Sequence, residues 1–166
     1  MITDILRNNE VELLNNHSLS LDTLRQLNQI SVENLIENGG TLKYTFFQMM
    51  SILDKKLSSD WNFNILILKS KHNKSTILGY AIFYIGFEHN IQISQICLTK
   101  NLQGMHNADL LLNYIIDTEK NSKCKYVKGI TADVSYTNKK SINFFKRHKF
   151  EFFNNNGKWR VKKLLK

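Results

Sequence analysis

The stretch from residue 91 to residue 119 changes from strand to helix in the middle, and this change constrains the fold more than any other part of the sequence. Residues 91–98 (Ile-Gln-Ile-Ser-Gln-Ile-Cys-Leu) have the composition of a β-strand. A polar turn follows at residues 103–107, and the next apolar residues recur at the helical spacing i, i+3, i+4 and i+7: Ala108, Leu111, Leu112 and Ile115. A helix that begins after such a turn directs unpaired amides and the positive end of its dipole outward, which suits phosphate binding. An ordinary strand-to-helix turn accounts for the same pattern equally well. The single Gly104 does not decide between the two interpretations.

The rest of the apolar pattern predicts a mixed, mostly antiparallel sheet with helices on both faces, an α/β (α+β) fold. In order, we expect a weak strand at 11–14, a helix at 20–38 that stops at Gly39 and Gly40, and a helix at 46–57. Antiparallel strands follow at 63–68, 76–87 and 91–98, then a helix ending near 121, a strand at 127–134 and a helix at 138–148. The last element is a hairpin of strands at 150–153 and 159–161, whose turn ends with Asn156-Gly157, a strong hairpin signal. The strand at 127–134 follows a helix closely, so it should run parallel to its neighbour through a right-handed crossover. Where an antiparallel meander meets such a strand the sheet can splay, and the crevice would open beside Leu98 and Val134.

Length and composition favour one soluble domain. The 166 residues with 42% hydrophobic content are enough for a single core, so we expect one domain over residues 1–166. No apolar run approaches the ~20 residues of a membrane span, and the N-terminus lacks a signal-peptide pattern, which makes a cytoplasmic protein without membrane contact the expectation. Cys97, Cys124 and five scattered histidines show no metal-ligand spacing, so no metal is expected.

Positive charge is concentrated at the C-terminal end. Residues 122–166 hold thirteen Lys and Arg against Asp133 and Glu151, a balance of +11, whereas the whole chain carries +9. Such one-sided charge favours a partner with phosphates or acidic groups, which means a nucleotide cofactor, a nucleic acid or an acidic protein. A solvated basic face that keeps the protein soluble is the alternative.

Two segments resemble the GNAT superfamily of N-acetyltransferases. Residues 138–150 (Asn-Lys-Lys-Ser-Ile-Asn-Phe-Phe-Lys-Arg-His-Lys-Phe) look like the family's Asn, Ala or Ser, Ile, aromatic pair and closing Phe, and residues 98–108 are similar to its pyrophosphate loop. The resemblance covers about residues 63–165 and implies a sheet splayed between the fourth and fifth strands. It also implies transfer of an acyl group from acyl-CoA, typically acetyl-CoA, to an amine. The chain departs from the family at three positions, which are His106 and Lys149 where glycine is usual, and Phe145 where many members use tyrosine.

The resemblance implies a cofactor site around the turn. The strand end would pair with the pantetheine arm, the amides of residues 104–108 would cradle the pyrophosphate, and nearby lysines 139, 140 and 146 could meet the phosphates. The expected cofactor-binding residues are Ile96, Cys97, Leu98, Gln103, Gly104, Met105, His106, Asn107, Ala108, Asn138, Ser141 and Phe145.

Catalysis by direct attack needs a neutral amine, a polarised carbonyl and a route for the proton. Because residues 91–98 contain no carboxylate, Ser94 and Gln95 are candidates to hold a water that carries the proton, although Gln95 also fits an ordinary sheet position. A phenylalanine at position 145 cannot donate a proton. Tyr136, at the end of the crossover strand, is the preferred replacement acid, with a surface aromatic as the alternative, and Glu88 is a further candidate base.

The acceptor is not specified by the sequence. The resemblance implies an acceptor side formed by the first two helices and the last hairpin, and it points to Gly39, Gly40, Tyr44, Phe47 and Trp159. The basic C-terminal segment disfavours a polyamine and makes a tRNA-linked, nucleotide-linked or acidic-protein acceptor more plausible. The expected acceptor is thus an amine on a small molecule, on a tRNA or on a protein. The competing hypothesis is a catalytically degraded module of the same fold that uses residues 122–166 to bind nucleic acid or an acidic protein.

Overall fold

The computed structural model describes residues 8–14, 20–38, 63–85, 89–103, 106–121 and 127–165. In chain order the elements are β1 (Asn9–Leu13), α1 (Leu21–Asn38), β2 (Phe63–Ser70), β3 (Ile77–Ile85), β4 (Asn90–Leu98), a short 3-10 helix (Lys100–Leu102), α2 (Asn107–Asn121), β5 (Gly129–Ser135), α3 (Lys139–Arg147), β6 (Glu151–Asn155) and β7 (Lys158–Leu164). The helix predicted at 46–57 and the glycine stop at 39–40 lie outside the described residues. In the described part of the chain, no helix is both long enough and apolar enough to cross a bilayer.

The strands form one mixed sheet in the order β1-β2-β3-β4-β5-β7-β6. Every neighbouring pair is antiparallel except β4 and β5, which run parallel and are joined through α2. The predicted mixed sheet and its parallel crossover are therefore confirmed. The first strand starts at Asn9 rather than Val11, because its pairing with β2 extends back to Asn9 opposite Ser70.

The sheet splays in the middle of its parallel pair. β4 pairs with β5 only along residues 90–93, where the last partners are Ile93 and Ala132. Beyond that point β4 continues beside β3 to Leu98, whereas β5 continues beside β7 to Ser135. The two C-terminal halves therefore separate and leave an opening between Leu98 and Val134, where the crevice was predicted.

A β-bulge lies at the start of this opening. In the register of β3 with β4, Ile82 faces Gln95 but the next residue, Phe83, faces Ile93, so Ser94 is an extra residue in β4. The extra residue reverses the alternation of side chains. Ile93 and Leu98 consequently enter the same core, although alternation without a bulge would place them on opposite faces.

Two hydrophobic cores lie on the two faces of the sheet. On one face, α1 buries Leu24, Leu27 and Ile30 against residues of β2 and β3 and against Cys97 of β4. On the other face, α2 and α3 pack on the strand side chains that alternate with these along the sequence. The buried helix residues there are Leu111, Leu112, Ile115, Ile116 and Phe145. Strands β2, β3 and β4 contribute to both cores, so the sheet has an α1 face, which α1 covers along these strands, and an α2/α3 face. The opening between β4 and β5 connects the two faces.

The C-terminal elements follow their local sequence signals. Asn138 caps α3 by accepting a hydrogen bond from the Ser141 amide at 3.1 Å. The β6–β7 hairpin turns through Asn156 and Gly157, whose φ angles of 50° and 86° are those of the predicted Asn-Gly turn. Strand β7 extends well beyond the predicted residues 159–161 because its pairing with β5 runs from Lys158 to Leu164.

Candidate active site

A cleft of about 820 Å³ occupies the opening between β4 and β5. It is lined from β4, the loop that follows β4, the start of α2, the end of β5, and α3, with single contributions from α1 and β7. The predicted site residues that line it are Ser94, Gln95, Ile96, Cys97, Leu98, Gln103, His106, Asn107, Ala108, Asn138, Ser141 and Phe145. The remaining two cofactor positions, Gly104 and Met105, lie outside the described residues, as do Glu88 and the acceptor positions 39, 40, 44 and 47.

The end of β4 presents main-chain groups to the cleft. The Thr99 amide donates to Leu78 of β3 at 2.8 Å, so alternation directs the amide and carbonyl of Leu98 and of Ile96 toward the opening. The Leu98 carbonyl accepts hydrogen bonds there from Asn34 Nδ2 of α1 at 2.7 Å and Gln103 Nε2 at 3.3 Å. The same alternation turns the main chain of Cys97 toward β3. The edge groups best placed to pair with an extended ligand are therefore the two of Ile96 and the Leu98 amide.

His106 has the conformation for which the family uses glycine. Its φ is 62°, in the left-handed region that costs most side chains about 1 kcal/mol. Lys149, the other departure from a family glycine, has the same φ of 62°. The His106 ring contacts Asp109, with Nδ1 to Oδ2 at 3.2 Å, and is therefore directed along α2. A side chain at this position would clash with a bound pyrophosphate if it pointed at the ligand, but the His106 ring is held by a partner in the first turn of the helix.

Asn107 supports the turn with its side chain. It is 1% exposed, donates from Nδ2 to the Leu102 carbonyl at 3.1 Å and accepts from Asn9 of β1 at 3.2 Å. Its own amide and that of Ala108 lie in the first turn of α2, where no carbonyl of the helix is available to them. Together with the amide of His106, these two amides are the described part of the predicted phosphate cradle.

Asp109 joins the beginning of α2 to the end of α3. Its Oδ1 accepts from Arg147 Nη2 at 2.6 Å and contacts His148 Nε2 at 2.8 Å, while Oδ2 contacts His106. Burial alone would raise the pKa of Asp109, but the hydrogen bonds from His148 and Arg147 outweigh it and hold the pKa below its ordinary value. The carboxylate therefore stays charged and neutralised by its neighbours, so it does not leave an unbalanced negative charge beside the cradle.

Lys140 crosses the cleft from the first turn of α3. Its Nζ donates to Gln103 Oε1 at 2.8 Å, and Gln103 in turn donates to Asn34 of α1 at 3.3 Å. A chain of polar contacts therefore runs over the opening from α3 to α1. Because Gln103 is neutral, Lys140 supplies the positive charge at this point.

Phe145 contributes a ring and no polar group. It is 6% exposed and packs edge to face on Phe144 at 5.1 Å and on Phe150 at 4.9 Å between ring centroids. Phe145 therefore forms an apolar wall of the cleft and stabilises the packing of α3.

The three predicted catalytic residues are not all brought together. Ser94 and Gln95 line the cleft, and Gln95 Nε2 donates to the buried Ser31 of α1 at 3.1 Å, so Gln95 also anchors β4 to the helix. Tyr136 does not line it. The Tyr136 hydroxyl donates to Asn154 Oδ1 of β6, and its ring lies edge-on to Trp159 at 5.0 Å.

Sequence reasoning missed the polar groups on the α1 face. The Asp133 carboxylate accepts hydrogen bonds from two nitrogens of Arg160, with Oδ1 at 3.0 Å from Nε and Oδ2 at 3.2 Å from Nη2. Lys158 Nζ lies 3.5 Å from the same carboxylate. Alternation within β5 could have placed Asp133 opposite the core residues, but its partners on β7 require the long-range pairing. Among the described residues, no group of three His, Cys, Asp or Glu side chains is arranged to hold a metal.

The fold is therefore a mixed sheet that splays at its parallel pair, with the N-termini of α2 and α3 beside the opening. The sequence model of the Acetyltransferase (GNAT) family matches residues 36–150, more than half of the chain, and the protein belongs to this family. Family membership supports acyl transfer as its general activity. A search of curated proteins found no significant match.

Solved structures share this fold at low sequence identity. An acetyltransferase from Thermus thermophilus has 16% identity and a TM-score of 0.71, with 95% of this chain and 97% of that chain covered. The Campylobacter jejuni N-acetyltransferase PseH, solved with acetyl coenzyme A, has 16% identity and a TM-score of 0.67, with 95% and 100% covered. The Vibrio cholerae spermidine N-acetyltransferase, solved with CoA and spermine, has 16% identity and a TM-score of 0.67, with 93% and 95% covered.

Proposed function

We propose that the protein is an N-acetyltransferase that transfers an acetyl group from acetyl-CoA to an amine by direct attack in a ternary complex. The observation that carries this proposal is the exposed main-chain edge of β4 at Ile96 and Leu98, which lies beside the first turn of α2 in one cleft. An extended pantetheine arm needs such an edge, and a pyrophosphate needs such a helix end. Family membership and the CoA-bound neighbours support the same assignment.

The chemistry of the described residues fits acetyl-CoA. The amides of Asn107 and Ala108 and the ammonium of Lys140 would bind the phosphates, while Ile96 would pair with the amide groups of the pantetheine arm. The apolar side chains of Val134 and Phe145 would cover the methylene groups. Asn138 would act chiefly as the cap that fixes the start of α3 beside this ligand.

When bound, acetyl-CoA supplies a thioester whose carbonyl carbon forms a bond to the amine nitrogen, while the carbon–sulfur bond breaks with its electron pair on sulfur. The Leu98 amide would donate to the carbonyl oxygen and stabilise its growing negative charge. Ser94 and Gln95 would hold a water that takes the proton from nitrogen and returns one to sulfur. The acid role of Tyr136 stays a prediction.

The alternative of a degraded binding module is not favoured. It rested partly on His106, whose ring is held by Asp109, and partly on the absence of an acid at Phe145. A thiolate can leave without a dedicated acid, because a thiol is acidic enough that its anion is a good leaving group and can take up a proton afterwards. Neither His106 nor Phe145 therefore prevents acyl transfer.

Binding of acetyl-CoA tests the proposal directly. We expect millimolar acetyl-CoA to raise the melting temperature of the full chain by several degrees, as a ligand present at many times its Kd does. Lys140→Gln should weaken acetyl-CoA binding in calorimetry by about three- to tenfold, because one charge-assisted contact to phosphate is worth about 1 kcal/mol in a partly solvated site. The matched control is Lys139→Gln, since Lys139 is adjacent, exposed and outside the cleft lining. Absence of any stabilisation by acetyl-CoA would refute the assignment.

A further inference from the structure

We propose that the acceptor is a small amine that also carries a carboxylate, and that Lys158 binds this carboxylate on the α1 face of the cleft. The inference rests on the proposed acetyl transfer and names the class of acceptor. It is carried by the arrangement of Asp133, Arg160 and Lys158, which the family resemblance did not indicate.

These three side chains lie on the face of the sheet opposite the proposed phosphate site. In β5, Ile130, Ala132 and Val134 enter the α2/α3 core, so Asp133 projects from the α1 face. In β7, Val161 enters the same core, which places Arg160 and Lys158 on the α1 face as well. Asp133 and Lys158 both line the cleft, so an acceptor bound on this side of the opening would contact them.

The Asp133 carboxylate is already matched by Arg160. The guanidinium fork contacts both carboxylate oxygens, which is the geometry of a strong ion pair. Lys158 is a second cation beside a single carboxylate, at 3.5 Å and with 47% of its side chain exposed. The three groups therefore carry a net charge of +1 at the mouth of the cleft, and Lys158 can bind an incoming anion without leaving Asp133 unpaired.

This charge distribution selects among amine acceptors. A polyamine would bring additional ammonium groups toward Lys158 and Arg160, and the one described carboxylate in the cleft lining is Asp133, which is already paired. A monoanion matches the single surplus charge, whereas a phosphate dianion would require a second cation to balance it. The same positive charge favours the neutral form of the attacking nitrogen, which is the reactive form.

Matched acceptor pairs test the proposal. The full chain is given acetyl-CoA together with either a common amino acid or the carboxamide of the same amino acid, and the two form a matched pair. The rate of thiol release, measured at constant ionic strength, gives kcat/KM for each acceptor. We expect the carboxylate member of the preferred pair to be used at least tenfold better than its amide. Spermidine and O-phosphoethanolamine, measured beside them, represent polycationic and phosphate-bearing amines.

Variants of β7 assign the preference to one side chain. Lys158→Gln should reduce the preference to about twofold by raising KM for the carboxylate, with kcat changed far less, and Lys158→Arg should restore most of it. Lys162→Gln is the control, because Lys162 lies on the same face of the same strand and outside the cleft lining. The Lys162→Gln variant should keep the preference of the parent protein.

The outcomes separate this proposal from the proposed function. Suppose that acetyl-CoA stabilises the chain but that amides, spermidine or O-phosphoethanolamine are acetylated with a kcat/KM equal to that of the carboxylates. The acceptor class is then wrong while acetyl-CoA binding stands, and the same holds if no carboxylate-bearing amine is acetylated. If Lys158→Gln leaves the preference unchanged, the carboxylate is bound elsewhere and the role of Lys158 is wrong. If acetyl-CoA gives no stabilisation, the proposed function itself is wrong.

Discussion

The two faces of the cleft are built in different ways. The α2/α3 face is built largely from main-chain groups and helix ends that are close in sequence, in residues 96–103, 106–109 and 138–150. The α1 face consists of side chains that meet across long stretches of sequence, as Ser31 meets Gln95 and Asp133 meets Arg160. A site made of main chain depends on local conformation, whereas a site made of side chains depends on which strands are neighbours. Substitutions on the first face should therefore change cofactor binding, and those on the second should change acceptor binding.

The largest expected effect comes from Gly79, which supports the end of β4. A Cβ at this position would lie 2.5 Å from Leu98 Cδ2 and 2.8 Å from the Cys97 carbonyl, so β4 would have to move. We expect Gly79→Ala to lower the free energy of unfolding by about 2 kcal/mol, as overpacking commonly does, and to weaken acetyl-CoA binding. Urea unfolding and calorimetry measure the two effects.

Leu98→Ala provides the control for this prediction. In the double variant with Gly79→Ala, removal of the Leu98 side chain eliminates the shortest contact, so the combined loss should be smaller than the sum of the two single losses. Strict additivity would show that the two positions do not interact and would contradict the proposed steric cause.

The second prediction concerns the contact between α2 and α3 at Asp109. Asp109→Asn should cost about 1 kcal/mol at neutral pH, because the variant loses charge-assisted hydrogen bonds that are partly solvated. The folded state lowers the pKa of Asp109, so this stabilisation is fully present above about pH 4, the ordinary carboxyl range, and is lost as the pH falls through the folded-state pKa. Unfolding of both proteins as a function of pH should therefore give curves that converge at acidic pH.

Asp117→Asn is the matched control on the same helix. Asp117 is exposed, so its substitution should leave stability nearly unchanged at every pH. A constant difference between the parent and the Asp109→Asn variant down to about pH 2, well below the ordinary carboxyl range, would show that the carboxylate charge is not what stabilises the contact.

The third prediction moves to the α1 face. Gln95→Leu breaks the hydrogen bond to Ser31 and removes a side chain that the proposed mechanism uses to hold water, so we expect a lower kcat and a severalfold higher KM for the acceptor, with little change in KM for acetyl-CoA. Gln92→Leu is the control, because Gln92 bonds Thr131 at 2.6 Å from the same strand but does not line the cleft. Equal effects on both Michaelis constants would mean that the two faces do not act separately.

The smallest effect is expected at Tyr136. Because the hydroxyl contacts Asn154, Tyr136→Phe should change kcat by less than about twofold and reduce stability by about 0.5–1 kcal/mol, an amount that Asn154→Ala should reproduce. A tenfold fall in kcat with an altered pH profile would instead show that the tyrosine turns into the cleft and acts as the predicted acid. Steady-state kinetics from about pH 6 to about pH 10, a range that reaches the ordinary pKa of tyrosine, distinguishes the two results.

The sequence predicted the fold through local patterns. Strand β4, helix α2 and the cap Asn138 are each defined by neighbouring residues, and the family segment at 138–150 linked them to a known arrangement. The Asn-Gly turn at 156–157 was predictable for the same reason. The extent of β7 was not, because its ends are fixed by pairing with β5 rather than by its own composition.

The candidate site was predicted in more detail on the α2/α3 face than on the α1 face, where Gln95 was named but its neighbours were not. Asn34 reaches the Leu98 carbonyl from 64 residues away, and no local signal in α1 marks it as part of the cleft. Lys158 and Arg160 were visible only as members of a basic segment, since the approach of β7 to Asp133 is a property of the sheet. The single-domain organisation, the cytoplasmic location and nucleic-acid binding through residues 122–166 stay predictions.

The extra residue at Ser94 makes β4 tolerant of one change in length and intolerant of others. Deletion of Ser94 would remove the bulge and leave regular alternation, so Gln95 and Cys97 would still face α1, while Ile96 and Leu98 would still face α2 and α3. Deletion of Ile96 would instead turn Cys97 and Leu98 to the opposite faces of the sheet. A single codon lost at Ser94 would therefore keep both walls of the cleft, whereas one lost two codons later would exchange the side chains at the end of the strand.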